Sequence, residues 1–301
     1  MINLVNEYIE NLERERKSVN TINSYRYDFV KFLSWLKNKN LITKEDINKI
    51  NFRVLNEYKL YLLDTLSPVA VNRNLAMLSG FFSYLEDMEI IIGNPMIRVK
   101  NCKVRNKERV IPTKKEAKDM LEAVKIKKEY SKNSDFLNIR NKFIINFLLA
   151  TGLRNSELRN LKLCDIDITG RITVLGKGDK IRASKMGKSL FEEYKNYLRF
   201  REEVLIKSEI DTEYIFVSYR GKQLGKQTLI DIVKSVSKEA NLDKEYTPHT
   251  LRHRTASDLL NETHNVKLVA TILGHSSIAV TNRYLHSEAE DIEEALESHQ
   301  S

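Results

Sequence analysis

The chain has 301 residues, with 50 Lys and Arg against 41 Asp and Glu for a formal net charge of +9. That length favours two domains, and the excess charge favours a polyanionic partner only where it is concentrated. Ten glycines and four prolines are few for the length and argue for long helices over many-stranded sheets. Two cysteines, Cys102 and Cys164, make no disulfide framework, which fits a reducing cytoplasm. No stretch approaches the roughly 18 apolar residues of a membrane span, and the amphipathic, acidic start "MINLVNEYIENLERER" is unlike a signal peptide.

The first hundred residues read as four helices. "NLVNEYIENL" places Leu4, Val5, Tyr8, Ile9 and Leu12 at helical spacing. Ser18 is positioned to cap "VNTINSYRYDFVKFLSWLKNK", whose buried side carries Ile22, Tyr25, Phe29, Phe32, Leu33 and Leu36. "RVLNEYKLYLLDT" follows, then "SPVAVNRNLAMLSGFFSYLEDM" with Ser67 as cap and Pro68 at the first helical position. Gly93 and Pro95 end the pattern. "KNCKVRNKERVIPTKK", residues 100–115, then carries seven Lys or Arg against the single acid Glu108. Such a run beside an extended segment suits a polyanion backbone. The expected organisation is a helical bundle over 1–95, a basic linker over 96–113, a second domain over 114–287 and an acidic tail over 288–301.

The second domain is mainly helical with one β signal. "RITVLGKGDKIRASKM" alternates Ile172 and Val174 on one side, turns at "GKGD" and returns through Ile181 toward Met186. Further on, Thr247 caps a helix with Pro248 at its first position, and His249 and Arg252 sit three apart on one face near its start. A helix N-terminus favours an anion, so a phosphate or carboxylate is the expected guest.

Several chemistries are set aside. "GKGDK" lacks the spacing and the following Ser or Thr of a nucleotide loop, and His249 with His253 lack the third ligand of a zinc helix. What remains is cationic: Arg154 in "TGLRNSEL", Lys177 at the hairpin turn, His249 with Arg252, and His275, with Tyr284 nine residues beyond it. Each alone also fits an ordinary surface, cap or core role.

Taken together and in this order, "TGLR.SEL", "GKG.K", "H.LRH", "LGHSSI..T" and the tyrosine nine residues on resemble the tyrosine recombinases, in particular the compact Xer-type enzymes and integrases. The resemblance covers nearly the whole chain. It implies a mainly α fold: a four-helix, SAM-like core-binding domain, then a mostly helical catalytic domain with a small β hairpin, clamping DNA from two faces. It implies catalytic roles for Arg154, Lys177, His249, Arg252, His275 and Tyr284. Tyr284 is the implied nucleophile, His249 its base, Lys177 the acid for the departing 5′-oxygen, and His275 a hydrogen-bond donor to the phosphate. The product is then a 3′-phosphotyrosyl enzyme, and no ATP, metal or other cofactor is implied.

Physical chemistry agrees. Attack on a phosphodiester builds charge on its oxygens, so catalysis rests on positioning and preorganised positive charge. Arg154 and Arg252 can each fork onto a phosphoryl oxygen, which lysine does less well. A phenol of pKa near 10 is about one part in a thousand ionised at pH 7, so Tyr284 needs such neighbours. Expected DNA contacts are Arg73 in the fourth helix and Lys100, Lys103, Arg105, Lys107 and Arg109 in the linker. His253 is expected to buttress the site. Glu157 either orients an arginine or is a first-turn acid favoured by the helix dipole. Arg254 and Thr255 depart from the family's usual small hydroxyl residue followed by an aromatic, and Arg254 is an additional candidate for DNA.

The tail, "EAEDIEEALESHQS", has six acids, no Lys or Arg, and an apolar stripe at Ala289, Ile292, Ala295 and Leu296. The family reading is that it docks on a neighbouring protomer. The implied assembly is a homo-tetramer, or a heterotetramer with a second recombinase, on two double-stranded DNA sites, in the cytoplasm at the nucleoid. The alternatives are a type IB topoisomerase-like nicking enzyme and a DNA-binding regulator of the same fold.

Overall fold

The computed structural model describes residues 1–43, 45–104, 110–124, 134–176 and 181–274. The chain divides into two compact units, Met1–Lys107 and Glu108–Ser301.

The first unit is built on α1 (Ile2–Arg14), α2 (Val19–Asn38), α3 (Phe52–Leu63) and α4 (Pro68–Asp87). Their starts follow from the local sequence. The Ser18 hydroxyl accepts from the Thr21 N–H, and the Ser67 hydroxyl accepts from the Ala70 N–H with Pro68 beside it. Asn51, not singled out by periodicity, caps α3 by accepting from the Arg53 and Val54 N–H groups. Aromatic edges knit the interior: Phe29 meets Phe81 at 5.2 Å and Phe32 meets Tyr58 at 4.9 Å.

This unit extends past residue 95. A 3-10 turn at Pro95–Arg98 buries Met96 against the helices. The Asn72 side chain then pairs with both backbone groups of Cys102, at 2.7 and 2.9 Å, and Lys59 Nζ donates to the Lys100 carbonyl at 2.7 Å. The first part of the basic run is therefore held along the helical unit by its backbone, leaving the Lys100 and Lys103 side chains exposed.

The second unit contains α5 (Lys114–Ala123), α6 (Ser134–Thr151), α7 (Asn155–Asn160), β1 (Arg171–Leu175), β2 (Ile181–Lys185), α8 (Lys188–Ser208), α9 (Lys226–Glu239), α10 (Pro248–Thr263) and α11 (Val266–Leu273). Central α6 packs against α8 and α10. Phe143 of α6 stacks on Tyr197 at 5.3 Å and on Phe216 at 5.6 Å. The hairpin is antiparallel, with Ile172 opposite Ser184 and Val174 opposite Arg182. Ile172 and Val174 are buried, whereas Ile181 lies on the exposed side, so Arg182 takes the inward position.

Replacing Phe143 by Ala removes the centre of this aromatic stack. The expected cost is about 3–5 kcal/mol, read as a lower urea midpoint with an unchanged m-value.

Candidate active site

Three elements of the second unit converge at one carboxylate. Gly152 ends the turn after α6 at φ +59°, and a Cβ there would lie 2.6 Å from Leu273 Cδ2. That glycine lets the chain turn tightly beneath α11 and brings Arg154 to the N-cap of α7. Glu157, in the first turn of α7, folds back. Its Oε2 accepts from the Arg154 backbone N–H at 2.8 Å and its Oε1 from Arg154 Nη1 at 2.7 Å. The carboxylate orients an arginine, the first of the two roles open to it from sequence.

Arg252 reaches the same place from α10. The Thr247 hydroxyl caps that helix, as expected, by accepting from the Thr250 N–H. The Arg252 side chain is only 3% exposed. Nη1 donates to the Gly152 carbonyl at 2.5 Å and lies 3.7 Å from Glu157 Oε2, while Nη2 donates to the Leu273 carbonyl at 2.6 Å. Arg154 is more open, with its side chain 34% exposed, and its Nη2 donates to the Gly274 carbonyl at 2.7 Å.

A third arginine, which pattern reading missed, completes the group. Arg182 of β2 donates from Nη2 to Glu157 Oε2 at 2.7 Å and from Nη1 to the Ile272 carbonyl at 3.0 Å. Its signal in the sequence is positional. Counting back from Met186, Arg182 shares the face that carries Val174 and Ile172, so a charge occupies the buried side of the hairpin.

Burial alone would raise the Glu157 pKa. The Arg154 backbone N–H and the Arg182 and Arg154 guanidiniums outweigh it, holding the carboxyl below its ordinary value of 4.5. Burial draws Arg182 below the usual guanidinium range while Glu157 opposes that shift. Three guanidiniums against one carboxylate leave a surplus of positive charge beside the partly open Arg154.

His249, in the first turn of α10, is exposed, and its Nε2 lies 3.0 Å from Nε2 of buried His253. His253 thus supports the more exposed imidazole. Arg254 is buried and turns both ends of its fork onto Asp258, one helical turn on, which answers its charge within α10. Beside it, buried Thr255 donates to the Leu149 carbonyl at 2.9 Å and packs against Gly152. Lys177, His275 and Tyr284 lie outside the described residues, as do Arg105, Lys107 and Arg109. In the first unit, Arg73 forks onto buried Asp28, its Nε and Nη2 donating at 3.2 and 2.9 Å. No group of three His, Cys, Asp or Glu side chains among the described residues is arranged to hold a metal. No helix among them is long and apolar enough to cross a membrane.

Residues 113–291 match the phage integrase family, and residues 5–89 match its N-terminal SAM-like domain. The chain is 30% identical over 288 residues to the tyrosine recombinase XerD of Listeria innocua, covering 95% of this chain and 94% of that one. It is 28% identical over 290 residues to the tyrosine recombinase XerC of Staphylococcus aureus, covering 95% and 92%. In structure it resembles the XerH site-specific recombinase bound to its difH substrate in a post-cleavage complex, with a TM-score of 0.76 at 25% identity over 97% of this chain and 85% of that one. The fold is also that of a lambda integrase dimer bound to a core site, with a TM-score of 0.70 at 18% identity over 93% and 96%. The chain belongs to the phage integrase family and is a site-specific tyrosine recombinase of the Xer type.

Because the Glu157 pKa is depressed on folding, its contribution to stability is present above pH 4.5 and is lost as pH falls through the folded value. Glu157→Gln is expected to cost on the order of 3 kcal/mol at neutral pH. In thermal melts the gap between wild type and Glu157→Gln should close as pH drops below 4.5.

Proposed function

We propose that this recombinase holds the scissile phosphate of double-stranded DNA with Arg154 and Arg252 and cleaves it by attack of Tyr284, leaving a 3′-phosphotyrosyl linkage and a free 5′-hydroxyl. The observation that carries this reading is the arginine group around Glu157, one turn of α10 from exposed His249. A guanidinium has five N–H donors. Arg154 commits one to Glu157 and one to the Gly274 carbonyl, and the others are left for an anion on its open side. By analogy with oxyanion donors, each arginine lowers the barrier by about 3 kcal/mol.

His249 takes the phenol proton as Tyr284 attacks phosphorus. Lys177 protonates the 5′-oxygen as its bond to phosphorus breaks, and His275 donates a hydrogen bond to a non-bridging oxygen. The phosphodiester bond energy is kept in the tyrosyl ester, so reversal of the same steps rejoins a strand. Lys100 and Lys103, exposed on the first unit, follow the phosphate backbone together with Arg105, Lys107 and Arg109. Arg73 joins them where a phosphate competes for its fork with Asp28.

The XerH relative's post-cleavage complex on DNA supports the same partner for this chain. The working assembly is a tetramer on two sites, of four copies or of two with a second recombinase, acting in the cytoplasm at the nucleoid. The acidic tail, residues 288–301, docks on the neighbouring protomer and couples placement of Tyr284 to assembly.

A bound site is first selected from genomic fragments, then nicked near the crossover as a suicide substrate and incubated with protein in EDTA. Wild type should give a covalent protein–DNA band and Tyr284→Phe none, while Arg154→Ala should slow band formation by about 100-fold or more. A band persisting in Tyr284→Phe places the nucleophile elsewhere. Specific binding without a band from wild type supports the regulator instead.

Removing residues 288–301 should leave binding to a single site intact and reduce synapsis of two. Wild-type recombination by the truncated chain would count against a docking tail.

A further inference from the structure

Helix α11 ends at Leu273, and its last carbonyls have no partner within the helix. Three successive ones are taken by three different arginines. The Ile272 carbonyl accepts from Arg182, the Leu273 carbonyl from Arg252 and the Gly274 carbonyl from Arg154. These carbonyls carry the negative end of the helix dipole, so guanidiniums are favoured there. On their other side the same three arginines face Glu157, Arg182 and Arg154 at 2.7 Å and Arg252 at 3.7 Å. The arginines therefore bridge a helix end and one carboxylate, and a shift of either anchor is felt by all three.

Arg182 differs from the other two. Its side chain is only 9% exposed, and both ends of its fork are spent inside the protein. Its Nε is buried with no hydrogen-bond partner among the described residues, a cost that a side chain serving only to fill space would avoid. The fold also clears a path for it. Gly274 sits at φ +65°, and a Cβ there would lie 2.8 Å from Arg182 Cδ and 2.9 Å from its Nε. Arg182 also stands on β2, five residues after Lys177 in the sequence, so it ties the β1–β2 pair to the arginine group.

We propose that Arg182 is a positioning residue for strand cleavage: bridging Glu157 and the Ile272 carbonyl from β2, it holds Arg154 and Arg252 in the geometry that receives the scissile phosphate. This rests on the assignment of Arg154 and Arg252 as the phosphate-binding arginines. Arg182 does not touch the phosphate. It sets the positions of the carboxylate and the helix end that orient the two arginines which do. A lysine here keeps the charge but, as a point donor, cannot span both acceptors in the planar fork geometry of arginine.

The test compares wild type, Arg182→Lys, Arg154→Lys and the double variant. Three readouts are taken for each: affinity for the uncleaved site, single-turnover formation of the covalent complex at saturating protein, and melting temperature. Arg182→Met is added as the stronger perturbation, and Arg182→Lys carries the test if that variant does not fold.

The expected result for Arg182→Lys is affinity within twofold of wild type, a melting temperature that keeps the protein folded under assay conditions, and cleavage slowed about tenfold to a hundredfold. In the Arg154→Lys background the further loss should be smaller than in wild type, because one of the two arginines through which Arg182 acts is already displaced. Cleavage by Arg182→Lys at the wild-type rate overturns the proposal. So does a loss that appears equally in affinity, or one of the same size in the Arg154→Lys background, since either marks a general structural role. A wild-type chain that forms no covalent complex overturns the recombinase chemistry and this role together. A cleaving wild type matched by Arg182→Lys overturns this role alone.

Discussion

The Glu157 carboxylate is the constraint on which the described part of the site depends. It is almost fully buried, and a buried carboxylate is tolerated only when its charge and its lone pairs are answered. Arg154 answers twice, through its backbone N–H and its side chain, Arg182 answers from the hairpin, and Arg252 lies within ionic range from α10. Three elements that are far apart in sequence, α7, β2 and α10, are thereby held to one point. The same arrangement leaves net positive charge in a region of low dielectric, where charge acts on an anion more strongly than it does in water. Breaking the carboxylate's pairing would therefore disturb the fold of the second unit and its electrostatics together.

The two arginines read from sequence as equivalent are unequal in the structure. Arg252 is enclosed, its fork spent partly on the carbonyls of Gly152 and Leu273, and it stiffens the floor of the site. Arg154 is one-third exposed and more available to a ligand. His249 and Arg252, three apart on one helix face, divide in the same way: the imidazole meets solvent and the guanidinium reaches inward. An arginine's length allows this, because its head can lie a full turn away from the surface that its Cα marks. Arg254 is a related case. A buried arginine beside the site motif reads as a DNA contact until its fork is found on Asp258.

The first unit shows how a basic surface can be held by uncharged means. The stretch from Pro95 to Cys102 is fastened by a 3-10 turn, by the Asn72 amide and by a lysine donating to a backbone carbonyl. The side chains of Lys100 and Lys103 are then left exposed. Arg73 is not, since its fork is set against a buried aspartate that keeps it oriented. A composition count treats these cations alike, but their readiness to bind a phosphate differs with what each already holds.

By itself the sequence determined the elements and the family. Helical periodicity, Ser18 and Ser67 as caps, Pro68 and Pro248 at first positions and the strand pair on either side of "GKGD" are local signals, decided within a few residues, and the structure follows them. The motif order identified the chemistry because each motif carries a reactive or charge-stabilising group. What only the tertiary structure decided was partnership. Arg182 pairs with Glu157 across 25 residues, Arg252 reaches Gly152 across 100, and three arginines share the end of α11. Such contacts depend on how α6, α10, α11 and the hairpin pack, and no periodicity encodes them. A charged residue on a buried strand face was the one trace they left in the sequence. Its meaning lay in the desolvation that packing imposes, which sets which charges must find each other.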